Sequence, residues 1–401
     1  MARAYANLQN DYDWKRMDII IGVETNKRIE NDLLLKGYEF TSANPETYSN
    51  MSPGTYRYMV SVGKILNKPE LIHEGVGRFR KFLELGFFAD EWWKEGTESY
   101  HAQTVNSLRS VALAAQNYTN PVNKSGNRFE NLDLNAEMPF FKKALQASQA
   151  TVLPNVRKIP INDKWAFKNE VAKPTDQTVS RLWSSLGNAA LGVGEGKDQT
   201  MLNLKWSGNY GHSHYDNGSI ILFAQEKELL SDIGYTHGEY RGWTIHTASH
   251  ITVVVDQMVQ DTGNPEKPVT GNLLFYDDKH PNVKVIDVDA SPAYEKTDVY
   301  MRQLIIVHAA PGKNYIIDRF DVKGGETHDW FLHGMYEEEG TLRLSMPLSD
   351  SKTIVPDWGG TDKPKNQYES DLVRKNDLCL LFYQRCEIGA CEGPMDSNIE
   401  V

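Results

Sequence analysis

The chain has 401 residues, of which 40% are hydrophobic and 24% charged, with a formal net charge of −11 at pH 7. That length allows two or more hydrophobic cores, and the composition is that of a globular chain rather than a disordered or fibrous one. The acidic balance argues against nucleic acid as the main partner, which would need clustered Lys and Arg, and no apolar run approaches the ~18 residues needed to span a bilayer.

The first residues, MARAYANLQNDYDWKR, hold no apolar stretch of the secretory-leader type. In this numbering the protein either stays inside or has had its leader removed. From there to about residue 195 apolar residues recur at helical spacing. In PELIHEGVGRFRKFLELGFF, the residues Leu71, Ile72, Val76, Phe79, Phe82 and Leu83 share one face, and Pro69 suits a first turn. YRYMVSVGKIL, HAQTVNSLRSVALAAQ and FFKKALQASQATVL carry the same period. Short breaks with Gly, Pro and Asn divide them, as expected of packed helical hairpins. Arg157, Lys158, Lys164 and Lys168 are the local basic groups available to an anionic ligand, although a solvated charged loop is the simpler reading of that stretch.

After about residue 196 the period changes to two. SIILFAQEKELLSDIGY, HITVVVDQ, NVKVIDVDA, VYMRQLIIVHA and KNYIIDRFDV alternate apolar and polar residues and are rich in Val, Ile, Tyr and Phe. A run of antiparallel strands follows, stacked as a sandwich or a pair of sheets. Helices first and strands second, without alternation, exclude a Rossmann or barrel plan, and the division predicted is a helical domain over 1–195 and a β domain over 196–401. The three cysteines, Cys379, Cys386 and Cys391, lack a CxxC spacing and read as packing residues.

The densest chemistry starts at Trp206, in WSGNYGHSHYDNGSIILFAQEKELLSDIGY followed by THGEYRGWTIHTASHITVVVD. His214, Asp232 and His250 are two imidazoles and a carboxylate, a donor set suited to Zn²⁺ or a similar divalent ion. Asp232 is expected to end one strand and His250 to begin another, so that two adjacent strands bring both to one edge. An HxH pair by itself reads first as a solvated turn. A cupin reading fails as well, because Asp216 comes too soon and Glu226 too late for the glutamate that motif requires.

Read together, these words resemble the heparinase II/III-like lyases. GHSHYDNGSIILFAQEKELLSDIGY is similar to that family's HGHxD segment, its following strand and its D-x-G-Y ending. SHITVVVD is similar to the HNTVVVD strand, with Ile251 where Asn is usual. HDWFLHG, from His328 to Gly334, matches another habitual segment, and FFADEWWKEGTESYHAQT resembles the family's Gly-Phe-Phe, EG and aromatic-His phrase. The four motifs stand in the family's order over roughly residues 50–340. The resemblance implies an α+β chain: an N-terminal incomplete α/α toroid, a C-terminal antiparallel β-sandwich and a substrate cleft at their junction. It implies β-elimination on an anionic, uronic-acid-containing polysaccharide or oligosaccharide, and a periplasmic or secreted location. The oligomeric state stays open. The helical half is shorter than the family's usual toroid, so the early hairpins are the part expected to be reduced.

Residue by residue, Tyr100 matches the catalytic tyrosine, and His212 the second proton-transfer group; a packed helical aromatic is the alternative for Tyr100. His214, Asp232 and His250 match the ligands of a structural divalent metal, most simply zinc. The amide that neutralises the uronate carboxylate corresponds best to Asn50, with Asn44 in reserve, and helix capping is the competing role for Asn50. His101, Tyr240 and Arg241 are candidate sugar contacts. A glycoside hydrolase on an α/α scaffold, with Glu95 and Glu98 as its two carboxylates, is the alternative enzyme, and a metal-stabilised, non-catalytic sugar-binding protein is the alternative outside enzymes.

Overall fold

The computed structural model describes residues 2–10, 12–121, 128–147, 151–165, 178–236 and 241–335, together with the backbone of 343–344, 381–387 and 399–400. Tyr240, Lys168, Cys379 and Cys391 lie outside the described residues, and of Cys386 only the strand is described. The chain divides into two compact units, one of residues 1–94 and 100–147, the other of residues 95–99 and 148–401.

In the first unit the main helices are Ser52–Ile65, Pro69–Gly86, Glu98–Ala115 and Pro139–Ala147. The apolar stripe read on Pro69–Gly86 faces inward as expected: Ile72, Val76, Phe79, Phe82 and Leu83 join Tyr56, Trp93, Leu108 and Phe141 in one buried cluster. Phe82 stacks on Trp93 at a ring separation of 5.1 Å. Each large side chain taken out of water in this cluster contributes roughly 1.5–3 kcal/mol before conformational entropy is subtracted. The first two of these helices approach closely because Gly75 has no side chain; a Cβ there would lie 2.9 Å from the carbonyl oxygen of Tyr56.

The second unit is antiparallel sheet. Strands β1 (Arg181–Trp183), β2 (Asn188–Val193), β3 (Thr200–Lys205), β4 (Ile220–Ala224) and β5 (Lys227–Leu230) pair in sequence order as one five-stranded sheet. Strand pairing thus begins at Arg181, ahead of the change of period read near residue 196. A short β6 (Val253–Val255) and a small hairpin, β7 (Gly263–Asn264) with β8 (Lys267–Pro268), follow. Then β9 (Asn272–Asp277), β10 (Val283–Asp289), β11 (Thr297–Ala310) and β12 (Lys313–Gly324) make a four-stranded sheet in the order β12-β11-β10-β9. Finally β13 (Thr327–His333) lies between β6 and β15 (Leu381–Glu387), while β14 (Arg343–Leu344) pairs with β16 (Ile399–Glu400).

One hydrophobic cluster joins the two larger sheets: Leu191, Leu202, Leu204 and Ile220 from the first, with Ile286, Val288, Leu304 and Ile306 from the second. On β11 the buried residues Tyr300, Arg302, Leu304 and Ile306 alternate with half-buried ones, as one core-facing side of a sheet requires. By contrast β2 and β3 are buried on both faces. Their second face carries Asn188, Asn203 and Lys205, which line a small cavity together with Asp216, Asp232, Ile161 and Ile221. That cavity lies beside the candidate site.

Candidate active site

Three loops of the second unit build the site. The first, between β3 and β4, carries His212 and His214 and is closed at its base by its own backbone. Gly218 N–H donates to the Lys205 carbonyl at 2.8 Å, and Lys205 N–H to that of Ser219 at 3.0 Å. The second follows β5: the Gly234 N–H donates to Asp232 Oδ1 at 2.6 Å in a tight Asx turn, where Gly234 has φ +67°. The third is the turn Thr247–Ser249 that leads into His250.

These loops bring His214, Asp232 and His250 together, with one donor atom from each lying within 4.8 Å of the others. All three are buried. His250 Nδ1 lies 2.8 Å from Asp232 Oδ2, and the two imidazole centroids are 5.4 Å apart. The expectation that two adjacent strands would supply Asp232 and His250 is corrected here. β5 belongs to the five-stranded sheet and β6 to the three-stranded one, so the ligands meet because loops from different sheets converge.

The donor set fits a divalent cation. His214 Nδ1 and His250 Nε2 are buried without a hydrogen-bond partner, an arrangement that is costly unless a ligand uses those lone pairs. The surrounding charge also fits: Asp163, Asp216 and Asp232 are three carboxylates against two cations, Lys205 and Arg241, which leaves one net negative charge with the histidines neutral. Burial drives the His214 pKa below its ordinary value, favouring the neutral ring that a metal requires. Burial alone would raise Asp232, but the neighbouring His250 and His214 hold its carboxyl far below the usual range. Burial likewise disfavours charge on His250, and the attraction of Asp232 and Asp216 outweighs it, so its pKa rises.

A second carboxylate organises the same loops. Asp163 Oδ1 receives Arg241 Nη1 at 2.5 Å and faces His214 Nε2 at 3.1 Å. Its Oδ2 receives Arg241 Nη2 at 3.0 Å and faces His212 Nδ1 at 3.2 Å. The Asp163 N–H donates to the carbonyl of His212 itself at 3.0 Å. Despite burial, these bonds keep the Asp163 carboxyl well below the usual carboxylate range. Beside it, Lys205 Nζ donates to Asn162 Oδ1 and to Asp216 Oδ1, all three residues being buried. Neither Asp163 nor Lys205 was singled out from the sequence, whereas Asp216 stands in the HGHxD-like segment read there.

His212 is half-buried, with 27% of its side chain accessible. Arg241, expected to touch a sugar, has its guanidinium committed to Asp163 and lies over the Tyr235 ring at 5.1 Å. In the first unit, Tyr100 is partly buried against the helical core. Asn50 is half-buried in the turn before helix Ser52–Ile65, and Asn44 is exposed, its amide donating to the Phe40 carbonyl at 2.8 Å. His101 is a correction. It is fully buried, with Nδ1 accepting from the Trp93 N–H at 3.0 Å and Nε2 lying 2.9 Å from the Ala144 carbonyl oxygen, so it braces the helical core and meets no sugar. Glu98, one carboxylate of the alternative hydrolase, is buried between Lys158 at 3.3 Å and Lys164 at 3.0 Å.

Residues 204–346 match the family model described as heparinase II/III-like, C-terminal. No curated protein matches the chain. Among solved structures, a heparinase III gene product is 14% identical with a TM-score of 0.64, covering 91% of this chain and 61% of its own. The heparan sulfate lyase HepC from Pedobacter heparinus is 14% identical with a TM-score of 0.60, covering 94% and 63%. Another heparinase III structure is 16% identical with a TM-score of 0.56, covering 77% and 52%. The chain therefore spans between about half and three fifths of these structures, and at such identity the likeness is one of fold: helices with antiparallel sheets. The four sequence motifs, the domain match that contains three of them and this shared fold agree, and residues 204–346 are similar to the heparinase II/III-like C-terminal domain.

Proposed function

We propose that the chain is a polysaccharide lyase that cleaves a uronic-acid-containing polysaccharide by β-elimination. The observation that carries this reading is the set of loops within the heparinase II/III-like domain: a half-exposed His212 held by a carboxylate, next to a buried His–Asp–His group. In the reaction a base removes the C5 proton, the electron pair forms the C4–C5 double bond, the C4–O4 bond breaks and an acid protonates O4. Tyr100 and His212 carry the two proton transfers, and Asn50 hydrogen-bonds the uronate carboxylate so that the C5 proton becomes acidic. Tyr240 and Asn44 remain candidate sugar contacts.

His214, Asp232 and His250 hold the divalent ion, most simply zinc, which when bound ties the three loops together as a structural centre. The helical part is read as a reduced α/α toroid and the β part as a sandwich. An anionic extracellular polysaccharide suits a periplasmic or secreted protein, and among the described residues no helix is long and apolar enough to cross a membrane. Incubation with heparan sulfate first, then chondroitin, hyaluronan and alginate, tests the reading, because elimination creates an ultraviolet-absorbing conjugated product. Reducing ends released without that absorbance would point to hydrolysis, and no cleavage of any uronan would overturn the lyase.

A further inference from the structure

We propose that Asp163 is a positioning residue that sets two histidines at once, holding the hydrogen of His212 on Nδ1 and that of His214 on Nε2, which leaves His214 Nδ1 for the metal, and so couples the two groups of the site. This deepens the reading of the site given above and rests on it.

The argument is geometric. A carboxylate gripped by both Nη atoms of Arg241 is ionised, and an ionised carboxylate only accepts. Each ring nitrogen that faces it must therefore carry a hydrogen. His212 Nδ1 at 3.2 Å from Oδ2 and His214 Nε2 at 3.1 Å from Oδ1 are those nitrogens. In a neutral ring the opposite nitrogen then holds the lone pair. For His214 that atom is Nδ1, which is buried without a partner beside Asp232 and His250. For His212 it is Nε2, on a side chain that reaches solvent.

A carboxylate behind a metal-bound imidazole fixes tautomer and ring orientation. A carboxylate behind a proton-transfer imidazole does the same for catalysis. Asp163 serves both with its two oxygens, while Arg241 supplies the counter-charge that keeps it an acceptor. Its backbone is fixed too, since the Asp163 N–H bonds the His212 carbonyl and the Ser99 hydroxyl donates to the Asp163 carbonyl at 2.8 Å.

The test uses the full chain labelled with ¹⁵N-histidine, read by long-range ¹H–¹⁵N correlation near pH 8, where an ordinary histidine of pKa about 6.5 is neutral. His212 is assigned by the signal lost in H212Q. The parent should show His212 as the Nδ1–H tautomer; D163N should lose that preference and bind Zn²⁺ about 10–100-fold more weakly. H212Q should leave Zn²⁺ affinity within about twofold, because it does not touch the His214 side of the carboxylate. If D163N misfolds because Arg241 is left unpaired, D163N/R241Q removes both charges together and gives the same readouts. A folded variant with His212 still Nδ1–H, or an unchanged Zn²⁺ affinity, would overturn the proposal. Absence of uronan cleavage by the parent would instead count against the lyase and leave the tautomer result standing.

Discussion

His250 Nδ1 lies 2.8 Å from Asp232 Oδ2, with the histidine side chain 1% and the aspartate 7% accessible. Two such groups, with the free Nδ1 of His214 beside them, are expected to take up one divalent ion per chain. Elemental analysis should find it, and a chelator should lower the melting temperature; a ligand present at a hundred times its Kd stabilises by about 2.7 kcal/mol. Asp232→Asn and His250→Ala should each abolish the stoichiometric metal, and a variant that keeps it would disprove the assignment.

Tyr100→Phe keeps the ring that packs against the helical core and removes only the hydroxyl. Circular dichroism melts should match the parent, while turnover on a cleaved uronan falls by about 10²–10⁴, the range for a lost acid–base group. Cleavage at the parental rate would move the proton transfer to another residue.

Arg302 is buried on β11, bonded by Nε and Nη2 to Asp318 at 2.9 and 2.5 Å. Its Nη1 donates to the carbonyls of Gly218 at 2.5 Å and Ile251 at 2.7 Å. One guanidinium thus ties the end of the His214 loop to the residue after His250. Arg302→Met should destabilise by about 3 kcal/mol, since it leaves the half-buried Asp318 carboxylate and two carbonyls without their partner, and should weaken metal binding as well. Urea denaturation and a zinc titration check both.

His101→Ala leaves the Trp93 N–H and the Ala144 carbonyl without their ring partners, each at about 1–3 kcal/mol. The loss should appear as a shifted urea midpoint. If stability is unchanged while KM rises, the residue touches substrate after all.

Glu46 holds the turn that carries Asn50. Its Oε1 accepts from Ser52 Oγ at 2.7 Å and from the Tyr48 N–H at 2.8 Å. Partial burial works against the charged form, but these bonds and Arg78 outweigh it, so the folded pKa lies below the ordinary value. The carboxylate's contribution is therefore full above its unfolded pKa of about 4.3 and is lost as pH falls through the lower folded value. Glu46→Gln should flatten the fall in stability below about pH 5; an unchanged acid limb would show that other groups govern it.

The sequence alone determined the type of each element and the candidate metal group. A 3.6-residue period on Pro69–Gly86 and a two-residue period on β11 report which faces are buried, because those patterns repeat the geometry of helix and strand locally. His214, Asp232 and His250 were legible because ligand-type residues are informative in themselves, and their motif words fix which ones matter. What tertiary structure decided is everything carried by distant partners. Asp163 meets His212, His214 and Arg241 across sequence separations of 49, 51 and 78 residues; nothing in INDKW marks it, since a carboxylate's role depends on which donors converge on it. The same reasoning covers His101, whose neighbours in the sequence suggest a ligand contact. Its burial was settled by Trp93 and Ala144 closing on both ring nitrogens. Arg241 likewise carries a charge that any loop could present to solvent, and only the fold turned it inward onto Asp163.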